Sequence, residues 1–527
     1  MSQESPATEF WPGSGRPPDD APVGLAGGAA VAGALVAPGI GLALVAGGSA
    51  WATGSVGPVA ILVAALLLLP TAAVLAVLSR EMPSAGTVTA WLGAVLSPAA
   101  GARAGWLLAS AYFAAAVLGT ALFGLAVGAL LSYAGLSGNG YLPYAAGAAA
   151  GAAIAALLFE GRAGRWIAAS VAALWAQVVV GGALIATILG MQGAAGRLTS
   201  PPLDPATGGG LGGAAIVLGA IALAGFELAS VVAWRGPAAG LPNVAVPTPP
   251  RRGLLPPSMA PVAALVGTAL FLFLGAWALA NTGPTPGTVI WTMPAEAGMA
   301  ALLPVARVFW GEGDVLLVLA APAAALGLLV AAMAGADRTV GALRRAGWPA
   351  PSPVSKPARM PWQWLSRHAR TRALALVALV AALAWPIWLP GTIVGDDGTL
   401  ATVAWWAGVT ALLAFAVYLA VNAAGLLTFR GRKRTIGLIA AHLVLPIAGL
   451  ALGAILLLAL LAALLGARDT RMGPMVVLFC LAILGADALA VIWTGGWRPR
   501  VGRPRVGRPR VGGADGSADG SAETSGQ

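Results

Sequence analysis

Charge is what this sequence has least of. Asp, Glu, Lys and Arg together make up 9% of its 527 residues, where a soluble globular protein carries about 25%. So few charges cannot cover the surface of soluble domains, so the length does not translate into three or four of them. Global disorder is excluded by the 58% hydrophobic content, because disorder needs low hydrophobicity and high charge. One cysteine, Cys480, and two histidines, His368 and His442, leave no material for a disulfide framework, a thiolate metal centre or a multi-histidine metal or haem site. Cys480 lies in an apolar run and reads as a packed thiol. No glycine-rich phosphate loop ending in Lys-Ser/Thr occurs, so the chain does not itself hydrolyse ATP. The 73 glycines and 39 prolines follow no Gly-X-Y period, which excludes collagen.

What is there is apolar sequence in long runs. A helix crosses the hydrocarbon core with about 20 apolar residues. Runs of that kind fall at 22–46, 56–79, 104–132, 142–160, 166–191, 211–234, 257–281, 314–336, 372–390, 399–428, 434–465 and 472–494. They lack the alternation of a transmembrane barrel, and an open sheet cannot satisfy its backbone in lipid. The expected fold is an all-α polytopic membrane protein of twelve spans, with 297–310 as an external interfacial helix.

The net charge of +11 does not indicate a nucleic-acid partner, because its arginines cluster between pairs of spans. With the N-terminus placed inside, the outer loops keep only Arg197, Arg307, Arg468 and Arg471 of the 30 basic residues. The positive-inside rule then puts both termini in the cytoplasm and the chain in the cytoplasmic membrane, with the lipid bilayer as its first partner. Residues 1–21 carry no basic leader and read as a disordered N-terminal tail. Residues 22–428 form the expected core of ten helices, 434–494 add two more, and 495–527 form an Arg/Pro/Gly-rich tail. That tail repeats Val-Gly-Arg-Pro-Arg at 501–505 and 506–510. It is either a disordered extension or a site for anionic lipid. Of the 19 tryptophans, Trp51, Trp234, Trp385, Trp388 and Trp497 fall near span ends and read as interfacial anchors. Trp405 and Trp406, inside the tenth span, are candidate gate residues.

An ionisable residue inside a span is a functional candidate. Glu227 follows Gly225 in the sixth span, where a glycine permits a helix break and an acid can meet freed N–H groups, a proton or a cationic group. A plain packing hydrogen bond is the alternative. Asp487, among small residues of the last span, reads as a helix–helix contact, and His442 as an interfacial residue. The first span carries Gly24, Gly27, Gly28 and Gly33, then Pro38, Gly39 and Gly41. Two breaker-rich spans five helices apart are what a transporter of inverted five-helix repeats requires.

These segments resemble the amino acid–polyamine–organocation (APC) superfamily. Val31-Ala-Gly-Ala-Leu-Val-Ala-Pro-Gly39 resembles its first-helix motif. Ser79-Arg-Glu-Met-Pro-Ser-Ala-Gly86 with Gly105-Trp106, Gly225-Phe-Glu227 with Pro237 and Pro242, and Arg338, Arg345 and Gly347 before Pro349 resemble three more. Leu44 to Ala52, Pro58 and Pro70, Leu302 to Gly311 and Leu365-Ser-Arg-His368 are similar to the bacterial methionine/branched-chain amino acid exporter branch. The resemblance implies substrate binding at Val31, Ala32, Gly33, Ala34, Gly225, Phe226 and Glu227, with the first four offering backbone amides. Val31 and Ala32 depart from the family's glycine and serine, the paired acids after the sixth helix are missing, and Ala334-Gly-Ala336 lacks hydroxyls. Sodium is therefore disfavoured as the coupling ion, and Glu227 is left as the proton carrier.

The expected function is a secondary transporter of a small, mainly apolar amino acid, by proton coupling or exchange, with export implied by the branch resemblance. It needs no cofactor and no metal, is not an enzyme, and works as a monomer or homodimer. The alternatives are a transport-dead relative acting as scaffold or sensor, and a membrane-embedded transferase. The acidic pair Asp396-Asp397 is the sole candidate for the latter and reads as a solvated turn.

Overall fold

A computed structural model of the chain describes residues 24–53, 57–81, 88–136, 141–160, 164–198, 213–232, 256–282, 295–345, 367–388, 398–428, 439–466 and 472–493. The 1–21 and 495–527 tails, Pro237, Pro242, Trp234, Gly347, Pro349, Asp396-Asp397 and Trp497 lie outside these residues, and so do the side chains of Trp51, Arg345, Trp388 and Asp487. The described residues form an all-α polytopic membrane protein. Eleven helices among them are long and apolar enough to span a bilayer. The helix Met472–Trp493 is the twelfth expected span, with a shorter described apolar stretch at Gly473–Ala486.

In chain order the helices are α1 (Leu25–Val36), α2 (Pro38–Thr53), α3 (Pro58–Glu81), α4 (Val88–Val95), α5 (Pro98–Tyr133), α6 (Tyr141–Glu160), α7 (Arg165–Ala194), α8 (Gly213–Leu223) and α9 (Leu228–Val232). They continue with α10 (Ala260–Leu279), α11 (Leu303–Trp310), α12 (Val315–Arg345), α13 (Arg367–Trp388), α14 (Gly398–Leu427), α15 (Leu445–Gly466) and α16 (Met472–Trp493). The first and sixth spans are the interrupted ones. They pack half against half, α2 on α8 and α1 on α9. The two long helices α5 and α12 form the largest packing surface of the bundle, and α14 and α7 flank them. Both of the last two helices pack on α14.

Several local features follow from single residues. The start of α5 is fixed by Pro98 in the first turn and by Ser97, whose hydroxyl accepts the Ala100 N–H at 3.1 Å. In α13, Pro386 has no N–H to give the Ala382 carbonyl one turn earlier. Tyr144 of α6 supplies the missing donor, its hydroxyl reaching Ala382 O at 2.7 Å, and Tyr141 also donates, to Leu383 O at 2.8 Å. Replacing Tyr144 by Phe strands a carbonyl that is sealed from water. The expected cost is about 1–3 kcal/mol, read as a lower midpoint in thermal unfolding of the detergent-purified protein. An unchanged midpoint would show that α13 finds another donor.

The 297–310 stretch is helical, a 3-10 segment at Ala295–Leu302 leading into α11. Trp310 Nε1 donates to Thr187 Oγ1 of α7 at 3.0 Å, and the buried Asp314 accepts from Tyr133 of α5 at 2.7 Å and from Arg307 at 2.9 Å. At the opposite end of α12, Arg370 of α13 holds Asp337 at 3.0 Å, Arg372 holds Glu160, and Arg338 donates to Val231 O at 3.1 Å while lying over the Trp166 ring. His442 is buried in a single π-helical turn, Ala440–Val444, beside Thr428 Oγ1 at 3.0 Å. There it packs at the start of its helix, against the end of α14.

Candidate functional site

The sixth span is interrupted because its sequence lets it be. Gly225 sits at φ +111°, a conformation in which a side chain is strained. A Cβ there would also stand 3.1 Å from Leu35 and 3.6 Å from Val36. Its bare backbone therefore lies directly on the end of α1, and the two interruptions meet. In the first span the break is at Ala37, φ 49° and ψ 74°, the one non-glycine residue with positive φ among the described residues. A residue before proline is pushed out of helical conformation, and Pro38 follows it.

Glu227 lies in the turn between α8 and α9, next to Phe226, and both are buried. Tyr418 of α14 donates its hydroxyl to Glu227 Oε2 at 2.5 Å and accepts the Gly225 N–H at 3.1 Å. One hydroxyl thus satisfies both an unwound amide and the acid. Tyr112 of α5 brings a second hydroxyl to face the same carboxyl, without forming a hydrogen bond of sound geometry. The Phe226 ring lies 5.1 Å from that of Tyr418. No basic residue is among the described partners of Glu227. An ionised carboxylate buried without a cation costs several kcal/mol, so its charge has to be met by a proton or by a cationic ligand group. Tyr418→Phe removes the shared donor while keeping the ring packing. The expected cost is about 1–3 kcal/mol, read as a lower unfolding midpoint of the purified protein.

Val31, Ala32, Gly33 and Ala34 do not lie in the break. They are buried in regular α1, one turn before it, and their amides belong to that helix. A Cβ on Gly33 would meet Leu174 of α7 at 3.1 Å. The donor beyond the break is Gly39 N, which already bonds the buried Gln177 Oε1 of α7 at 3.1 Å. Gly225, Phe226 and Glu227 are the residues that the fold gathers with α1, together with Tyr112, Tyr418 and Gln177, which the sequence reading passed over. Tyrosine was the available signal: the chain has five, and Tyr112 and Tyr418 are the two placed mid-span.

Trp405 and Trp406 are buried in a different place. They form an aromatic cluster with Trp385 and Phe479, and Trp406 also meets Phe113. Along α14 the step from Trp405 to Tyr418 is about 20 Å at 1.5 Å per residue. The structure does not bring this pair to Glu227. Among the described residues no three His, Cys, Asp or Glu side chains gather as metal ligands would.

No family model matches the chain, and no curated protein matches it. Among solved structures it is similar to the Eremococcus coleocola manganese transporter in complex with an aromatic bis-isothiourea substituted compound. That match has 14% identity, covers 89% of this chain and 93% of that one, and gives a TM-score of 0.48. Two variants of the same transporter match over the same shares, at 15% identity with TM-score 0.47 and at 14% with 0.46. Likeness of this degree says nothing about cargo.

Proposed function

We propose that the chain is a secondary active transporter of a small, mainly apolar amino acid, with Glu227 as the proton-carrying group. The observation that carries this reading is the buried carboxyl of Glu227, with no basic residue among its described partners, at the point where two interrupted helices meet. Broken helices are tolerated at mid-span where the freed backbone groups are buried in protein or line a cavity, and transporters place substrate and coupling sites at such breaks. Leu35, Val36 and Phe226 abut the turn, the Ser230 hydroxyl is bound to the Glu227 main-chain carbonyl at 2.6 Å, and among the described partners of Glu227 there is no second charge to pair with a charged side chain. The arginine asymmetry supports a cytoplasmic membrane location with both termini inside. The resemblance to the exporter branch supports outward movement.

The test is counterflow. The purified protein is reconstituted in liposomes loaded with single unlabelled amino acids, and entry of the labelled one is followed with and without a pH gradient. Saturable counterflow of an apolar amino acid, increased by the gradient, is the expected result. Folded protein inactive across the whole panel would replace the transporter with the scaffold reading. The Gln177 bond that already occupies the Gly39 amide is the observation on that side.

A further inference from the structure

Three buried hydroxyls that make no hydrogen bond of sound geometry lie on one seam of the bundle: Tyr112 Oη, Thr339 Oγ1 and Thr89 Oγ1. The seam is the packing of α5 on α12, and its antiparallel register is set by close contacts at glycines. Gly119 meets the backbone of Leu329, Gly335 meets the ring of Tyr112, and Gly105 meets both Leu343 and Thr89. Thr339 stands one turn after Gly335 and one turn before Leu343, which places it between the levels of Tyr112 and Thr89. Successive levels are about 6 Å apart along the helix axis. One bridging water joins hydroxyl oxygens about 5 Å apart, so one or two waters match the spacing of these levels. Thr339 does not take the carbonyl one turn back, the bond that Thr120, Thr187 and Thr410 make, and internal water is the partner that satisfies buried hydroxyls left in this way.

We propose that Tyr112, Thr339 and Thr89, bridged by internal water, conduct protons between Glu227 and the α4 end of this seam. The proposal rests on the reading of Glu227 as proton carrier and adds its route. Each hydroxyl accepts one hydrogen bond and donates another, so a proton entering at one end is matched by one leaving at the other, and no hydroxyl changes its net charge. The titratable groups facing Glu227 are Tyr112 of α5 and Tyr418 of α14. The helices α1, α2, α8 and α10 carry none, and α9 none of its own. Beside Thr339 in sequence, Asp337 is held by Arg370, and Arg338 is bonded to Val231 O and stacked on Trp166. Those charges are engaged elsewhere, and the hydroxyls are the polar groups that repeat along the seam.

The test uses the full chain in liposomes loaded with the pH dye pyranine, with the amino acid identified by counterflow. Thr339→Val keeps side-chain volume and removes the hydroxyl. It is expected to lower gradient-driven uptake and substrate-induced proton movement by at least about tenfold, with counterflow at equal pH kept within about twofold. Thr339→Ser restores the hydroxyl and should restore both; Thr89→Val should behave like Thr339→Val. Gradient-driven uptake preserved in Thr339→Val overturns the route, as does counterflow falling in parallel with it, or failure of the serine to rescue. A wild-type protein with counterflow but no response to the gradient removes the Glu227 reading itself, and the route with it, before any variant is made.

Discussion

With Glu227 as the proposed proton carrier, Glu227→Gln is expected to separate equal-pH counterflow from gradient-driven uptake. The glutamine has the shape of the protonated acid, and its Oε1 can still accept the Tyr418 hydroxyl that now bonds Glu227. Folding and equal-pH counterflow should therefore survive, because neither demands a charge at this position. Uptake driven by a pH gradient should fall by about a hundredfold or more, the usual loss when an essential proton-transfer group is removed. The comparison with Tyr418→Phe sharpens the point. That variant keeps the proton-binding group and loses a donor to it, so it should weaken transport while leaving its response to the gradient in place. If Glu227→Gln retains the wild-type pH dependence, the carboxyl is a packing group and the coupling site lies elsewhere. If it loses counterflow together with gradient drive while remaining folded, the charge itself is required, and a cationic group of the substrate becomes its partner.

How much of this was legible in the sequence depends on the distance over which each signal acts. The spans were legible because hydrophobic thickness is a local property of twenty consecutive residues. Glu227 was legible because an acid in an apolar helix is costly wherever that helix goes. The interruption of the first span was legible as a density of Gly and Pro, but its position was not taken from the most informative pair. Motif likeness drew attention to Val31–Ala34, whereas the Ala37-Pro38 step carries the steric reason for a break. The partners of the site were not legible at all. Tyr418 lies 191 residues from Glu227, and Gln177 lies 138 residues from Gly39. Which mid-span polar group meets which is decided by the packing of α5, α7, α12 and α14, and no periodicity within one helix encodes it. The Trp405–Trp406 pair was legible as mid-span tryptophan in the tenth span, while its partners Trp385 and Phe479 lie on other helices and were not.

Gly119→Val is expected to have the largest effect on stability. A Cβ at this position would stand 2.7 Å from the backbone nitrogen of Leu329 and 2.8 Å from its Cα. Backbone atoms in mid-helix cannot rotate away as a side chain can, so α5 and α12 would have to separate along their shared face. That face is the largest in the bundle, and the two helices hold Tyr112 and the Gly335 backbone against each other close to Glu227. The loss should reach or exceed the upper end of the about 1–3 kcal/mol typical of overpacking. It should appear as poor recovery of monodisperse protein or a sharply lowered unfolding midpoint. Gly182→Val is the matched control: the helix-propensity change is the same, but nothing lies within 4 Å of a Cβ built there. Without a new clash, its effect should stay within a few tenths of a kcal/mol of wild type. Equal behaviour of the two variants would mean that small residues in these helices serve helix flexibility. A large difference would mean that Gly119 sets the distance between α5 and α12, and through that distance the placement of Tyr112 at the acid.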